Sequence, residues 1–243
     1  VFPWSRIDNA LFETISGFST TGSTVLQDIE ANSKGILFWR QLTQWYGGMG
    51  IIVLAVTVLP SLGVGGLQLM TAESPGHESD KLRARSIDTA KSLWLVYFGV
   101  TITIALLLWA TPNVGLYDAV AHGLSTAAIG GFSTKNGSIG SFDSYIVELI
   151  IVFGMFVGAM NYNLQYKFWK SKGNFRVFTR SSEWKLYVRI TLSFIGVIFL
   201  MNWLMDSVDV GTAFRDSLFN VVTLASSTGF GNVRPDGIGN FVL

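Results

Sequence analysis

Hydrophobic positions are grouped into four long blocks along this chain, separated by shorter polar segments. The blocks cover residues 36–59, 93–110, 145–160 and 186–205. A helix needs roughly 20 mostly apolar residues to cross the hydrocarbon core of a bilayer. The pattern therefore predicts four transmembrane helices. Four buried helices of a large soluble protein are the alternative, but the residues between the blocks are too few to supply a soluble surface.

A short pattern occurs three times beside these blocks. Each copy opens with Asn or Asp, continues through about two apolar turns, and reaches a glycine 13 residues later in a stretch rich in Thr, Ser and Gly. Because Asn and Asp are favoured N-caps, each copy predicts a short helix capped by its opening residue and followed by a loop. The opening residues and glycines are Asn9 with Gly22, Asp118 with Gly131, and Asp216 with Gly229.

The second copy lies between two predicted spans and is too short to cross a bilayer. Its apolar helix, predicted over 119–126, enters and an extended segment returns, which describes a re-entrant hairpin. Irregular backbone at membrane depth survives only where it is buried in protein or lines a watery path. Inward-pointing carbonyls and the negative C-terminal end of a short helix both favour a cation there. The predicted ion-binding residues are Thr20, Thr21, Gly22, Ser23, Ile129, Gly130, Gly131, Phe132, Ser227, Thr228, Gly229 and Phe230.

Composition narrows the function classes. Of the 243 residues, 49% are hydrophobic and 14% are charged, whereas a soluble domain carries about 25% charged residues. A net charge of +1 gives no reason to expect nucleic-acid binding. The chain has no cysteine and two distant histidines, which excludes thiolate zinc sites and argues against a His-rich metal site. No catalytic constellation or phosphate-binding loop is recognisable. An intramembrane enzyme is thus a distant alternative, and a structural membrane protein would leave the repeats unexplained.

Basic residues indicate the orientation of the chain. They are concentrated at 81–91 and 167–189, and the positive-inside rule places both segments in the cytoplasm. The segments that carry the repeated pattern are poor in Lys and Arg and are therefore predicted to open to the outside. The basic segment 167–189 contacts either lipid and solvent, the default interpretation, or a regulatory subunit.

Several polar residues have two readings from the sequence. Glu13 either supports the ion-binding loop or attracts cations at its mouth, or else it is solvated or caps a helix. Arg40 is expected to pair with a carboxylate or to extend outward to the interface. His122 is expected to be packed and hydrogen-bonded rather than a pH sensor. Asn161 and Asn163 either line a cytoplasmic vestibule or hydrogen-bond across helices.

The residues around the repeated glycines resemble the TrkH/TrkG potassium-uptake proteins of the Trk/Ktr/HKT superfamily. Residues 16–24 (SGFSTTGST) are similar to the first pore loop, and 39–51 to the helix that follows it. Residues 62–66 and 73–76 are similar to the cytoplasmic loop of the family. Residues 130–134 and 226–231 are similar to the second and third pore loops. The resemblance covers essentially the whole chain.

The resemblance implies an all-α membrane protein built of repeated helix–pore-loop–helix units, like a potassium channel in one chain. Three pore loops are visible of an expected four. The implied function is a pore-forming subunit for potassium uptake, not an enzyme. A sodium or non-selective monovalent cation transporter of the same fold is the alternative. In the plant branch of the superfamily, serine at the first glycine position accompanies sodium transport, so glycine at all three positions favours K⁺.

The resemblance also implies an organisation and partners. The predicted units are a first repeat without its leading helix (1–62), a cytoplasmic linker (63–91), a second repeat (92–170), a basic loop (171–185) and a third repeat (186–243). Since the fourth repeat is missing, we expect a fragment of a chain about twice as long. The implied partners are K⁺, the lipid bilayer of a bacterial inner membrane, a second copy in a homodimer, and a cytosolic nucleotide-binding regulatory subunit.

Overall fold

The computed structural model describes residues 7–62, 77–205 and 209–232. Within these ranges the regular structure is helical and contains no strand, so the predicted all-α class is confirmed. A short 3₁₀ helix, Ser138–Phe142, lies between the fourth and fifth α-helices. The α-helices are α1 Ile7–Phe18, α2 Lys34–Leu62, α3 His77–Trp109, α4 Leu116–Ala127, α5 Tyr145–Gly158, α6 Tyr162–Lys170, α7 Arg176–Arg180, α8 Ser182–Met205 and α9 Val210–Ala225.

Two helices in the described ranges are long and apolar enough to cross a membrane. These are the Ala90–Trp109 part of α3 and the Ser182–Leu204 part of α8. Helix α2 runs unbroken for 29 residues through the predicted first span. Helix α3 also includes residues 77–91 of the predicted linker, whereas residues 63–76 lie outside the described ranges. The boundaries of the predicted repeats therefore stay a prediction.

The predicted span at 145–160 is interrupted. Helix α5 ends at Gly158 after 14 residues, a length of about 21 Å at 1.5 Å per residue. Helix α6 leaves it at an angle of 96°, and only the bent pair together has the length and composition of a span. Asn161 begins α6 as its N-cap and accepts a hydrogen bond from the Asn163 backbone at 2.9 Å. Its side chain also donates to Glu183 of α8 at 3.2 Å, so Asn161 hydrogen-bonds across helices.

The opening residues of the three repeated patterns do not cap their helices, contrary to the prediction. Helix α4 begins at Leu116, its N-cap is Gly115, and no side chain caps it. Asp118 is the third residue of α4, Asn9 is the third residue of α1, and Asp216 lies in the second turn of α9. The residues just before each opening residue are already helical, whereas an N-cap residue has a non-helical backbone.

Helix α9 has a different cap, which the sequence pattern did not reveal. The Asp209 carboxylate accepts hydrogen bonds from the backbone of Thr212 at 2.9 Å and of Gly211 at 3.2 Å. These bonds, with a further one from the Thr212 hydroxyl, hold the pKa of Asp209 below its ordinary value. Asp209 lies outside the spanning segments, at the start of the third short helix.

Helix α2 is packed between two of the short helices, α1 and α4. Its approach to α1 depends on Gly47, where a Cβ atom would lie only 2.1 Å from the Phe18 carbonyl oxygen. On its other side, the Tyr97 hydroxyl of α3 donates to the Trp45 carbonyl at 2.9 Å, and Trp45 Nε1 donates to Thr101 at 3.0 Å. These contacts fix the position of α2, and polar side chains of α2 hydrogen-bond to the loops that follow α1 and α4.

Candidate ion pathway

The loops that follow α1, α4 and α9 contain three signature segments, 20–23, 129–132 and 227–230. Each segment has a glycine with a left-handed backbone, a conformation that costs glycine little. Each also has a left-handed residue two positions earlier, which is uncommon for a residue other than glycine. Such backbone outliers cluster at functional sites. The φ values are 55° and 80° at Thr20 and Gly22, 55° and 79° at Ile129 and Gly131, and 62° and 81° at Ser227 and Gly229.

The same hydrogen-bonded turn ends each short helix. After α1, the Thr20 N–H donates to the Gly17 carbonyl and the Thr21 N–H to the Ser16 carbonyl, both at 3.0 Å. Equivalent bonds, reaching three and five residues back, end α4 and α9. This is the C-terminal motif in which the left-handed residue is most often glycine. The three signature segments therefore leave their helices at equivalent points.

The signature segments contact one another in chain order. A Cβ atom at Gly22 would lie 2.1 Å from the Gly130 carbonyl oxygen, and one at Gly131 would lie 2.0 Å from the Thr228 carbonyl oxygen. In both contacts, the glycine of one copy faces the carbonyl that precedes the glycine of the next. Within the described residues, a Cβ atom at Gly229 would meet nothing within 4 Å. The first segment therefore adjoins the second and the second adjoins the third, whereas Gly229 has no such neighbour among the described residues.

Hydroxyl groups on the short helices donate hydrogen bonds to the last carbonyl of the first and of the third signature segment. Ser16 Oγ donates to the Ser23 carbonyl at 2.6 Å, and Thr223 Oγ1 donates to the Phe230 carbonyl at 3.1 Å. In each case the hydroxyl lies six residues before the glycine and the carbonyl belongs to the residue after it. In the second copy the equivalent hydroxyl, Ser125 Oγ, donates instead to Gln44 Oε1 at 2.7 Å.

Gln44 of α2 holds the second segment. Its Nε2 donates to the Gly130 carbonyl at 2.6 Å, and its Oε1 accepts from the Phe132 N–H at 3.2 Å as well as from Ser125. The side chain is fully buried. Gly130 has to be small because a Cβ atom there would lie 2.3 Å from the Gln44 amide carbon. The second segment thus depends on a side chain from the helix of the first repeat.

Asp118 and Asp216, the two acidic opening residues, hydrogen-bond to the loop just beyond the second and third signature segments. Asp118 Oδ1 accepts from Thr134 Oγ1 at 2.6 Å, and Asp216 Oδ1 accepts from Asn232 Nδ2 at 3.0 Å. Both partners lie three residues after the repeated glycine. These carboxylates therefore brace the loops rather than cap the helices.

In the first copy a buried ion pair has this bracing role. Glu13 accepts from Thr24 Oγ1 at 2.7 Å and from the Val25 N–H at 3.1 Å. Its carboxylate also pairs with Arg40 of α2 at 2.6 Å, and both residues are 2% exposed. The Arg40 guanidinium lies over the Phe132 ring, 4.0 Å from its centroid. Glu13 therefore supports the loop, and Arg40 pairs with a carboxylate, which are two of the roles expected from the sequence.

His122 has the position in the second copy that Glu13 has in the first, nine residues before the glycine. Its Nε2 shares a hydrogen bond of 2.9 Å with Ser133 Oγ, and its Nδ1 shares one of 2.8 Å with the Asp118 carbonyl oxygen. The ring is 1% exposed. The prediction that His122 is packed and hydrogen-bonded is confirmed.

Contacts between the three loops continue beyond the segments. Asn136 accepts from the Ile29 N–H at 2.6 Å and donates to Asp28 at 2.9 Å. That second bond is the main reason why the pKa of Asp28 lies below its ordinary value. Ser138 Oγ accepts from the Gly231 N–H at 3.2 Å. The first loop is thus bonded to the second, and the second to the third.

The atoms that could bind a cation at this site can be named from the residues present. In the described part of the chain, no group of three or more His, Cys, Asp or Glu side chains could hold a metal ion. The two charge pairs near the loops, Glu13 with Arg40 and Glu148 with Arg215, are internally compensated. The signature segments themselves contain no charged side chain, so the oxygen atoms that they carry belong to backbone carbonyls and to Thr and Ser hydroxyls.

A family model described as TrkH, cation transport protein, matches residues 3–236 of this chain. The chain belongs to the TrkH family. The family is one of cation transporters and not of enzymes, and the resemblance inferred from the pore-loop residues is confirmed.

Relatives and a solved structure agree with this assignment. The Trk system potassium uptake protein TrkH of Salmonella typhimurium is 41% identical over 230 residues, which are 94% of this chain and 47% of that protein. TrkG of Escherichia coli K12 is 37% identical over 224 residues, 91% of this chain and 45% of that protein. The crystal structure of the potassium transporter TrkH from Vibrio parahaemolyticus matches with a TM-score of 0.82 and 36% identity, over 94% of this chain and 46% of that one. The chain spans about half the length of the curated relatives it matches.

In this TrkH-family chain, the predicted ion-binding residues are the three signature segments themselves, which the structure places against one another. The sequence reading missed Gln44, Thr134 and Asn232, which hold those segments in place. Gln44 carried a signal that could have been read, since an amide inside a predicted apolar span must find a hydrogen-bond partner. Its partner, Gly130, lies 86 residues away.

Proposed function

We propose that this chain forms part of a potassium-uptake pathway in which carbonyls of the signature segments replace the water around the ion. The observation that carries the proposal is the repeated contact between segments, Gly22 with the Gly130 carbonyl and Gly131 with the Thr228 carbonyl. It brings carbonyl-bearing backbone from three copies to one place. Rings of such carbonyls dehydrate potassium in selectivity filters. The C-terminal ends of three short helices add partial negative charge.

Potassium, rather than sodium, is the cation that we propose. Glycine at all three repeated positions supports this choice, since serine at the first position accompanies sodium transport in the plant branch of the superfamily. The relatives named TrkH and TrkG are described as potassium uptake proteins. A sodium or non-selective monovalent cation transporter of the same fold is the competing function, and a flux measurement separates the two.

The proposed location is a bacterial inner membrane, with the signature segments open to the outside. The support is the apolar length of α3 and α8 and the concentration of Lys and Arg at 81–91 and 167–189, which favours the cytoplasm for those segments. Potassium would then enter from outside and move inward down its electrochemical gradient.

Two protein partners follow from the TrkH resemblance and belong to the whole protein. One is a second copy, giving a homodimer with one pathway in each subunit. The other is a cytosolic ring of nucleotide-binding regulatory subunits. Light scattering of the purified protein tests the dimer, and co-purification from cells that express both components tests the regulatory ring.

The test of the proposed function is rubidium and sodium flux through the full-length protein in liposomes. We expect the parent to prefer rubidium, an analogue of potassium. Gly131→Ala should lose most of that preference, because its Cβ would lie 2.0 Å from the Thr228 carbonyl oxygen at a φ of 79°. The strained backbone alone costs about 1–2 kcal/mol.

The matched control is Gly196→Ala in α8. A Cβ atom there would meet nothing within 4 Å among the described residues, so the rubidium preference should be retained. A parent that passes sodium as readily as rubidium would refute the potassium assignment. A Gly131→Ala variant with full preference would refute the proposed role of the signature segments.

A further inference from the structure

The bend between α5 and α6 borders an open cavity that the ion pathway does not use. Its volume is about 440 Å³, within the range of roughly 300–1,000 Å³ that is usual for small-ligand sites. Its wall is formed by residues of α3, α5, α6, α7 and α8, and it is rich in aromatic side chains. Those rings include Phe153, Phe156, Trp169, Phe178 and Trp184.

The Thr hydroxyl and the Gln amide in this wall are already engaged. Thr103 Oγ1 donates to the Gly99 carbonyl at 2.8 Å, and Gln165 Nε2 donates to the Val157 carbonyl at 2.8 Å. The surface that remains for an occupant is therefore mainly apolar. A long hydrocarbon chain suits such a cavity, because burying apolar surface is favourable without any directional partner.

A basic cleft lies beside this aromatic cavity. Lys167 and Arg180 both line it, together with Glu183. The ion pairs in the described part of the chain are Glu13–Arg40 and Glu148–Arg215, so neither cation of the cleft has a carboxylate partner there. Glu183 is engaged by the Asn161 amide at 3.2 Å.

A third recess lies between the cavity and the cleft. Trp184 lines both the aromatic cavity and this recess, and Glu183 lines both the recess and the basic cleft. The apolar cavity and the positively charged cleft are thus close neighbours on the two sides of this recess. Basic recesses between membrane helices on the cytoplasmic side are sites of anionic headgroups.

We propose that this bend binds one anionic glycerophospholipid. An acyl chain would occupy the aromatic cavity, and the headgroup phosphate would lie between Lys167 and Arg180. Charge complementarity selects an anionic headgroup, and the apolar cavity next to the cleft selects a lipid over a free anion. The site requires a membrane but not the ion pathway, so its failure would leave the proposed potassium pathway untouched.

Native mass spectrometry of the full-length protein in mild detergent tests this site. The probes are dioleoyl phosphatidylglycerol, dioleoyl phosphatidylcholine and inorganic phosphate. The variant K167Q/R180Q removes both cations, and Val157→Phe narrows the aromatic cavity without a change of charge. The control K170Q/K172Q removes two cations of the same region that do not line the cleft.

We expect the parent to retain phosphatidylglycerol more tightly than phosphatidylcholine. K167Q/R180Q should bind phosphatidylglycerol about 30-fold more weakly, as the loss of two lipid-contacting cations predicts. Val157→Phe should also lose the lipid, and the control should keep it.

Three results would overturn the proposal. The first is equal retention of both lipids by the parent, and the second is unchanged phosphatidylglycerol binding in K167Q/R180Q. The third is displacement of the lipid by inorganic phosphate together with full binding in Val157→Phe, which would assign the site to a free anion.

Discussion

The replacement of Gln44 by Leu should weaken ion selectivity and stability together. Leu has a similar size but can neither donate nor accept a hydrogen bond. The change would remove the partners of the Gly130 carbonyl, now at 2.6 Å, and of the Phe132 N–H, now at 3.2 Å. The Ser125 hydroxyl could turn to the Phe132 carbonyl, as the equivalent Ser16 hydroxyl bonds Ser23 in the first copy.

The magnitude follows from the two backbone groups that lose their partner. A buried backbone group without a hydrogen bond costs about 1–3 kcal/mol, so the free energy of unfolding should fall by roughly 2–6 kcal/mol. That is a large part of the 5–15 kcal/mol that is typical of a folded domain. Without Gln44 the Gly130 carbonyl is also free to move, so the preference for rubidium over sodium should fall as well.

Gln41→Leu is the matched control, because Gln41 lies one turn earlier on α2 and is also fully buried. Its side-chain nitrogen and oxygen have no hydrogen-bond partner within the described residues. Replacing such an amide should cost little or stabilise the protein. Thermal unfolding and rubidium and sodium flux of the full-length protein measure both variants. Parent-like stability and selectivity in Gln44→Leu, or equal damage in Gln41→Leu, would refute the reasoning.

Three further predictions concern the braces of the loops. Glu13→Gln leaves Arg40 as a buried unpaired charge and should lower the unfolding free energy by about 3–5 kcal/mol; an unchanged melting temperature would contradict this. Thr134→Val removes the donor to Asp118 and should cost about 1.5–3 kcal/mol, measured by the same assay, and no loss would show that this bond does not brace the loop. The pKa of Asp209 lies below its ordinary value of 3.8, so the ionised carboxylate caps α9 fully above pH 3.8. This cap is lost as the pH falls through the lowered pKa. The hydrogen-exchange protection factor at the start of α9, which corrects for the pH dependence of intrinsic exchange, should fall on acidification in the parent and should already be low at neutral pH in Asp209→Ala; equal protection factors in the two proteins at neutral pH would refute the prediction.

The signature segments could be located from the sequence because their chemistry is local. A left-handed backbone favours glycine, and a turn that ends a short helix needs a fixed number of residues, so Gly22, Gly131 and Gly229 recur at one spacing. The same spacing led to the wrong role for Asp118. A carboxylate 13 residues before the glycine is equally suited to capping a helix and to bonding a residue three positions beyond the glycine.

Other features depend on contacts that no local pattern records. The bond from Gln44 to Gly130 joins residues 86 apart, and the pair of Glu13 with Arg40 joins residues 27 apart. The end of α5 at Gly158 was missed because apolar composition continues to Met160 while the chain changes direction. A hydropathy pattern shows that a segment is apolar but does not show where its helix ends. The chain changes direction where the next helix begins, at its N-cap Asn161.

Anomalous diffraction from crystals of the full-length protein soaked in rubidium tests the carbonyl pathway most directly. We expect a rubidium peak at the centre of the signature segments, coordinated by backbone carbonyls of those segments. A peak should persist when sodium is present in excess. Rubidium density only at side-chain carboxylates, with none at these carbonyls, would contradict the account.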